Sequence, residues 1–187
     1  MGIKLSSFKK LSAVFALALA GLVATASAVI AEPVGVDTNS TVSGQVRHKL
    51  NMLPWYGVFD NLQYQVNGSE VILSGQVVSD HSVTKDDAEK AVEGISGVTK
   101  VVNNIQILPL SSFDDQIRRA EYRAIFSTSD LGRYTLGAIP AVHIVVDNGH
   151  VTLYGKVMNQ MDRNVAAIAA NTVPGVFSVT NNLQVGG

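Results

Sequence analysis

The pattern of apolar and polar residues along the chain predicts a series of helices and strands that occurs twice. Residues 41–53 carry apolar side chains at three- and four-residue spacing, which is typical of an amphipathic helix. Residues 61–67 alternate between apolar and polar side chains, as a half-buried strand does. Asn67-Gly68 then favours a tight hairpin turn, so a second strand is predicted over 71–77.

The first copy of this series closes with a helix and a third strand. An apolar stripe predicts the helix over 83–95, and Gly97 is expected to end it, since glycine adopts the left-handed conformation at no steric cost. Residues 98–108 are predicted to form the third strand. Gly75 lies inside the second strand, which indicates a bulge or a close approach of two backbones.

The second copy has the same order of elements, predicted as a helix at 112–128, strands at 141–146 and 150–157, a helix at 160–172 and a strand at 176–185. The closing segments of the copies, 95–107 and 173–185, are identical at six of thirteen positions. The predicted fold class is therefore α+β, with two tandem α-β-β-α-β units. Each unit is expected to be a three-stranded sheet with two helices packed on one face.

Several repeated positions are expected to have a structural role: Gly75, Gly97, Asn103, Gly149, Gly155, Gly175 and Asn181. The two asparagines lie on strand faces that are otherwise apolar, and a buried amide needs hydrogen-bond partners. We therefore predict that both bond to the backbone at a bulge or a sheet rim. Ligand binding is the alternative.

The repeat also sets the predicted domain boundaries. Residues 32–40 are expected to be a flexible N-terminal segment, 41–108 the first domain and 112–187 the second. The linker over 109–111 is too short to let the two units move apart freely, so we expect them to pack side by side. The sequence predicts no particular oligomeric state.

Residues 1–31 have the layout of a secretory signal peptide. Three lysines precede an uncharged apolar stretch, and small residues allow cleavage after Ala26, Ala28 or Ala31. We expect the rest of the chain to be exported to the periplasm, where it could lie peripheral to the membrane. The alternative is an uncleaved N-terminal anchor, because about 20 apolar residues can span a bilayer.

Composition and motifs argue against several functions. The chain has no cysteine, which excludes disulfides and a cysteine nucleophile. Of 14 basic residues three lie in 1–31, so 11 remain against 15 acidic residues, and nucleic-acid binding is not expected. No nucleophile–base motif is present, and His48, His81, His143 and His150 lack metal-ligand spacing. We therefore expect no enzymatic activity, no catalytic residue, no metal and no cofactor.

Two segments are candidates for contact with a membrane or a partner. The loop 52–61 concentrates Trp55, Tyr56 and Phe59, and such amphipathic aromatics suit membrane and protein interfaces alike. The alternative is that they close the core beneath the loop. The segment 117–140 combines Arg118, Arg119, Arg123 and Arg133 with apolar residues and Tyr134, as an anionic lipid surface favours. Its alternative is an ordinary solvated helix face.

The paired motifs resemble the BON domain, a family named for bacterial osmotically induced and nodulation proteins. The pattern G-x-V-x-L-x-G-x-V holds in full from Gly149 to Val157, whereas Ser69 replaces the leading glycine in the first copy. The later pattern G-V-x-x-V-x-N holds in both copies, from Gly97 and from Gly175. The resemblance covers 41–108 and 112–185.

This resemblance implies an exported, non-enzymatic envelope protein. BON proteins are associated with phospholipid membranes, osmotic or envelope stress and outer-membrane integrity. We therefore expect the partner to be an anionic phospholipid surface, with envelope proteins as further candidates. The alternative is a chaperone-like periplasmic adaptor that binds a protein through a strand edge or through the loop 52–61.

Overall fold

A computed structural model describes residues 32–33, 42–78, 83–128 and 130–186 of the chain. The predicted signal peptide, residues 34–40 of the predicted flexible N-terminal segment, and His81 lie outside these residues. No helix within the described ranges is both long enough and apolar enough to cross a bilayer.

The first unit contains two helices and a mixed sheet. Its elements are β1 (Glu32–Pro33), α1 (Val42–Asn51), β2 (Asn61–Asn67), β3 (Glu70–Val77), α2 (Val83–Glu93), β4 (Lys100–Asn103) and β5 (Gln106–Ile107). The sheet order is β1-β2-β3-β4, with β5 also paired to β3. The hairpin β2–β3 is antiparallel, whereas β4 and β5 run parallel to β3. A parallel partner needs a long crossover, which α2 provides.

The second unit repeats this topology. Its elements are α3 (Ser112–Phe126), a 3-10 helix (Gly132–Thr135), β6 (Val142–Asp147), β7 (His150–Val157), α4 (Gln160–Asn171) and β8 (Ser178–Val185). The sheet order is β6-β7-β8, with an antiparallel hairpin followed by a parallel strand. The predicted α+β class with two tandem α-β-β-α-β units is confirmed.

Two predicted segments differ from the structure. Glu32 and Pro33, placed in a flexible segment, form a short strand on the free edge of β2, where backbone groups would otherwise lack partners. The single strand predicted over 98–108 is two short strands, because the chain departs from the sheet between Asn103 and Gln106. In the second unit the corresponding strand is continuous.

Close packing of the backbone requires glycine at one position of each hairpin. Gly75 has φ +108° and Gly155 has φ +119°. A Cβ atom on Gly75 would lie 1.8 Å from the carbonyl oxygen of Asn61, and one on Gly155 would lie 2.0 Å from that of Ala141. The close backbone approach predicted for Gly75 is therefore present, and it occurs in both units.

The two units pack against each other through β6. Val142, Ile144 and Val146 face the core of the second unit, so alternate residues of the strand face the first unit. On that side Val145 packs in a small apolar cluster with Val78 and Leu108. Across the edge of β6, the amide of Ile144 donates to the carbonyl of Val58 at 2.8 Å. The expected side-by-side packing is therefore observed.

Candidate functional site

The outer face of α3 carries basic and aromatic side chains. Arg119, Tyr122 and Arg123 are exposed, and their spacing of three and four residues places them on one face of the helix. The opposite face is buried and includes Asp114, Ile117, Arg118, Glu121 and Ile125. Since the buried side fixes the helix against its sheet, the face that carries these three residues has a defined position on the surface.

An aromatic residue of the first unit meets this face. The ring of Phe59 lies edge-on to that of Tyr122, with 6.4 Å between the centroids. A cleft of about 310 Å³ lies between the units and is lined by Val58, Phe59, Arg119, Tyr122 and Arg123. We call it the interface cleft. It brings together residues of the two segments that the sequence marked separately.

The interface cleft combines an apolar lining with positive charge. Almost all of its lining is apolar, so Arg119 and Arg123 contribute their methylene stems while their charged ends reach solvent. Within the described ranges, neither arginine forms a side-chain hydrogen bond or an ion pair. Their charges are therefore not neutralised by these residues, and an anion that also carries apolar groups would complement the cleft.

Arg118 does not belong to this surface. The residue is only 4% exposed, and its guanidinium donates to the carbonyl oxygen of Val146 at 2.7 Å and pairs with Asp115 at 2.5 Å. The bond to Val146 joins α3 to β6, whereas the pair with Asp115 lies within α3. The prediction that Arg118 contacts a membrane or partner is therefore wrong, because the side chain is enclosed and already bonded.

Tyr134 and Arg133 also serve the fold. Tyr134 is buried. Its hydroxyl group donates to the carboxylate of Asp162 and accepts from the amide of Met158, the latter at 2.8 Å. Arg133 pairs with the same carboxylate at 2.5 Å. The bond from Tyr134, together with Arg133, lowers the pKa of Asp162. Tyr134 is thus not available for membrane contact, and the charge of Arg133 is paired.

Only part of the aromatic loop lies at the surface. Tyr56 is buried in the core of the first unit, so the predicted contact role is wrong for this residue, and the alternative of closing the core holds. Trp55 is 59% exposed, but it does not line the interface cleft. Phe59 is half-buried and packs against the core of the second unit.

His143 is the buried histidine of the unit interface. Its ring stacks on Tyr56 with 5.3 Å between centroids and 21° between planes. Nδ1 lies 3.2 Å from the carbonyl oxygen of Gly57, which can only accept, so Nδ1 carries the proton and Nε2 accepts from the Tyr56 hydroxyl at 3.4 Å. Burial lowers the pKa of His143 to about 4, which keeps the ring neutral at neutral pH.

The remaining described histidines show no metal-binding arrangement. His48 and His150 are exposed, and His150 bonds to Ser178 at 2.7 Å. Over the part of the chain that the structure describes, no group of three or more His, Asp or Glu side chains could hold a metal ion.

The repeated asparagines bond to the backbone of the preceding helix and to the backbone two residues further along the chain. Asn181 donates to the carbonyl of Arg163 and accepts from the amide of Leu183, at 2.8 and 3.1 Å. Asn103 makes the equivalent bonds to Lys85 and Ile105, at 2.9 and 3.2 Å. The predicted backbone bonding is therefore present in both copies.

These contacts also occupy backbone groups of the outer strand. Arg163 donates to the carbonyls of Asn181 and Leu183, at 3.1 and 2.9 Å, while the amide of Leu183 is taken by Asn181. An incoming strand would have to displace these bonds before it could pair there. This segment of β8 is consequently a poor edge for strand addition.

Replacing Asn103 with alanine is expected to destabilise the protein by about 2 kcal/mol, because the carbonyl of Lys85 in α2 and the amide of Ile105 would lose their bonds. Asn103 also donates to Glu89 at 3.0 Å, so the loss affects both α2 and the strand. Urea unfolding of the variant measures the change. Asn104→Ala is the matched control, since Asn104 is exposed, and an equal loss in both variants would contradict this role.

Composition marked the segments 52–61 and 117–140 as candidates but did not single out Val58 and Tyr122 within them. Tyr122 lies one turn from Arg119 on the same helix face, so the helical period could have identified it. Val58 has no such signal, because its position depends on a bond to Ile144 of the other unit.

Comparison with solved structures gives low similarity. One match is a structure described as structural studies of CdsD, a structural protein of the type III secretion system of Chlamydia trachomatis. It has 12% identity and a TM-score of 0.30, and covers 78% of this chain and 93% of that chain. A second match, the C-terminal domain of the same protein, has 13% identity and a TM-score of 0.27, and covers 80% and 100%. No curated protein is significantly similar in sequence.

Comparison with protein-family models identifies one domain family in this chain. The BON domain matches twice in tandem, over residues 38–109 and 114–187, which together make up most of the chain. Both matches coincide with the folded units and include the glycine and asparagine positions described above. The family is a non-catalytic one and is typical of envelope-associated proteins. The chain therefore belongs to the BON domain family, as a protein with two BON domains in tandem.

Proposed function

We propose that this protein binds anionic phospholipid surfaces through the interface cleft and the outer face of α3. The observation that carries the proposal is the pair of exposed arginines, Arg119 and Arg123, above an apolar cleft, with no ion-pair partner in the described residues. A phosphate group can accept from a guanidinium, and the apolar lining can take the adjoining glycerol and acyl carbons. Charge and shape thus fit one class of ligand.

The expected interaction is weak and reversible. A basic residue near an anionic membrane contributes about 1 kcal/mol, so Arg119 and Arg123 together contribute about 2 kcal/mol. Partly exposed aromatic rings such as Tyr122 favour the headgroup region, which adds to this attraction. Because screening weakens such contacts, binding should decrease steeply as salt is raised from low to physiological concentration.

We further propose that the protein acts in the periplasm, without catalysis, in envelope integrity or stress tolerance. Support comes from membership of the BON family and from the predicted signal peptide at 1–31. A role at the membrane surface requires docking and release rather than a reaction, which agrees with a site made of charge and apolar area.

Substitution of both arginines tests the lipid site. The double variant Arg119→Gln, Arg123→Gln should bind vesicles of phosphatidylglycerol and phosphatidylcholine about 30-fold less tightly, the equivalent of about 2 kcal/mol. Flotation of the mature protein at two salt concentrations measures the affinity. The matched control, Lys49→Gln, Lys90→Gln, removes two exposed positive charges from the first unit and should change affinity less than twofold.

Other outcomes distinguish the alternatives. Equal losses in both double variants would show a general charge effect and contradict a defined site. If the wild-type protein does not float with anionic vesicles at low salt, the lipid proposal fails. Crosslinking through the exposed Trp55 to one dominant protein, independent of lipid, would instead support the adaptor function.

A further inference from the structure

The interface cleft belongs to neither unit alone. Val58 and Phe59 come from the first unit, whereas Arg119, Tyr122 and Arg123 come from the second. Separation of the units would leave the charged face of α3 intact, but it would remove the wall of the cleft that Val58 and Phe59 form. The apolar part of the site therefore depends on contact between the units.

Contacts with β6 hold this wall in place. The carbonyl of Val58 accepts from the amide of Ile144 at 2.8 Å, and the carbonyl of Gly57 lies 3.2 Å from Nδ1 of His143. The Tyr56 ring stacks on the imidazole of His143. Three successive residues of the loop are thus bonded or stacked on two successive residues of β6.

Hydrogen bonds within the first unit also hold the loop 52–61 in position. The carboxylate of Asp60 accepts from the amide of Gly57 at 2.9 Å and from the amide of Val78 at 3.0 Å. Asp60 is fully buried, so both bonds are shielded from water. The loop is therefore a connected part of the first unit, and docking of that unit on β6 places Val58 and Phe59 beside α3.

We infer that phospholipid binding and docking of the two units are thermodynamically linked, because the lipid site is complete only in the docked arrangement. This inference rests on the proposed function. Linkage is reciprocal: if docking improves the affinity for the lipid by a given factor, saturation with the lipid shifts the docking equilibrium by the same factor. His143 is a positioning residue in this scheme, since it touches the loop and not the cleft.

The variant His143→Ala tests the linkage, since it removes the stacking and both ring hydrogen bonds but leaves Arg119 and Arg123 unchanged. We expect affinity for phosphatidylglycerol-containing vesicles to fall by about tenfold, in the ordinary range for coupling between sites. The matched control is His150→Ala, which removes an exposed histidine of the same unit and should bind as the wild type does.

Hydrogen exchange of the wild-type protein provides a second measurement that requires no variant. Short-chain phosphatidylglycerol should slow exchange at the Ile144 amide, which bonds across the unit interface, more than at amides bonded within the sheet β6-β7-β8. If His143→Ala does not fold, hydrogen exchange at the Ile144 amide alone tests whether lipid binding and docking of the units are linked.

The outcomes separate the inference from the proposed function. If the wild-type protein binds anionic vesicles while His143→Ala binds equally well and the Ile144 amide is unaffected, the linkage is refuted and the lipid site stands. If the wild-type protein does not bind, the proposed function itself has failed.

Discussion

Replacing Gly155 with alanine is expected to destabilise the second unit by roughly 4 kcal/mol or more, among the largest effects of a single substitution. The added Cβ would lie 2.0 Å from the carbonyl oxygen of Ala141, and φ of +119° is itself unfavourable for any residue with a side chain. Because the obstructing atom belongs to the backbone immediately before β6, where Ala141 bonds to Lys156, relief requires the end of the hairpin to open. Thermal unfolding followed by circular dichroism measures the loss.

Two controls separate steric overlap from the effect of alanine in general. Gly186→Ala should be nearly neutral, since no atom lies within 4 Å of a Cβ there and φ is not in the left-handed region. Gly75→Ala should reproduce the large loss in the first unit, because its Cβ would meet the carbonyl of Asn61. A Gly155→Ala protein that unfolds at the wild-type temperature would contradict the close approach.

Replacing Glu121 with glutamine is expected to stabilise the protein at alkaline pH by roughly 3 kcal/mol. Glu121 is fully buried, and neither oxygen of its carboxyl has a hydrogen-bond partner in the described residues. Burial raises the pKa of this carboxyl from 4.5 to about 7. Each unit of pKa corresponds to about 1.4 kcal/mol, which sets the size of the effect.

The direction of the pH dependence follows from proton binding. Well below pH 4.5 the carboxyl is protonated in both states, so it contributes no pH-dependent cost to stability. Between pH 4.5 and 7 the folded state holds a proton that the unfolded state has released, and stability falls as pH rises. Above pH 7 the carboxyl is ionised in both states, and the loss of stability caused by burying its charge stays at its full value. The gain from Glu121→Gln should therefore be near zero at pH 4.5 and greatest at pH 8.

Chemical denaturation at several pH values measures this gain. The control Glu93→Gln removes an exposed carboxylate from α2 and should show no comparable difference between pH 4.5 and pH 8. A gain from Glu121→Gln that is equal at both pH values would contradict burial of an ionisable, unpaired carboxyl.

The local sequence predicted the helices and strands well because the signals for them are local. The turn at Asn67-Gly68 and the alternation over 61–67 determine β2 within the hairpin, and β2 begins and ends as predicted. The parallel direction of β4 and β8 could not be predicted in this way. It depends on the return of the chain across α2 and α4, which no neighbouring residues encode.

The candidate site was predicted only in part, because polar residues also occupy the buried stripe of α3. The buried stripe of α3 contains three polar residues at the helical spacing of Ile125, namely Asp114, Arg118 and Glu121. Helical periodicity places them on the buried face, whereas their polarity favours the exposed face. Burial is tolerated at Asp114, whose carboxylate accepts from the amides of Asn148 and Gly149. Distant partners of this kind are not visible in the local sequence.

The cleft itself could not be predicted from either segment. Phe59 and Tyr122 are far apart in the sequence and belong to different units, and their contact arises only when β6 docks on the first unit. The composition of the segments 52–61 and 117–140 marked each of them as a candidate contact site. Their convergence is a property of tertiary packing.

The two faces of β6 show that the copies are no longer interchangeable. Its partner in the repeat, β2, presents Gln63 and Gln65 at the positions where β6 presents His143 and Val145. Both strands face their own core with apolar side chains, but only the outer face of β6 carries residues that contact the other unit. If the order of the copies were exchanged, Gln63 and Gln65 would take the places at the unit interface that His143 and Val145 occupy in this chain. The order of the two copies along the chain is therefore part of what the sequence specifies, because only the second copy carries the side chains that dock on the first.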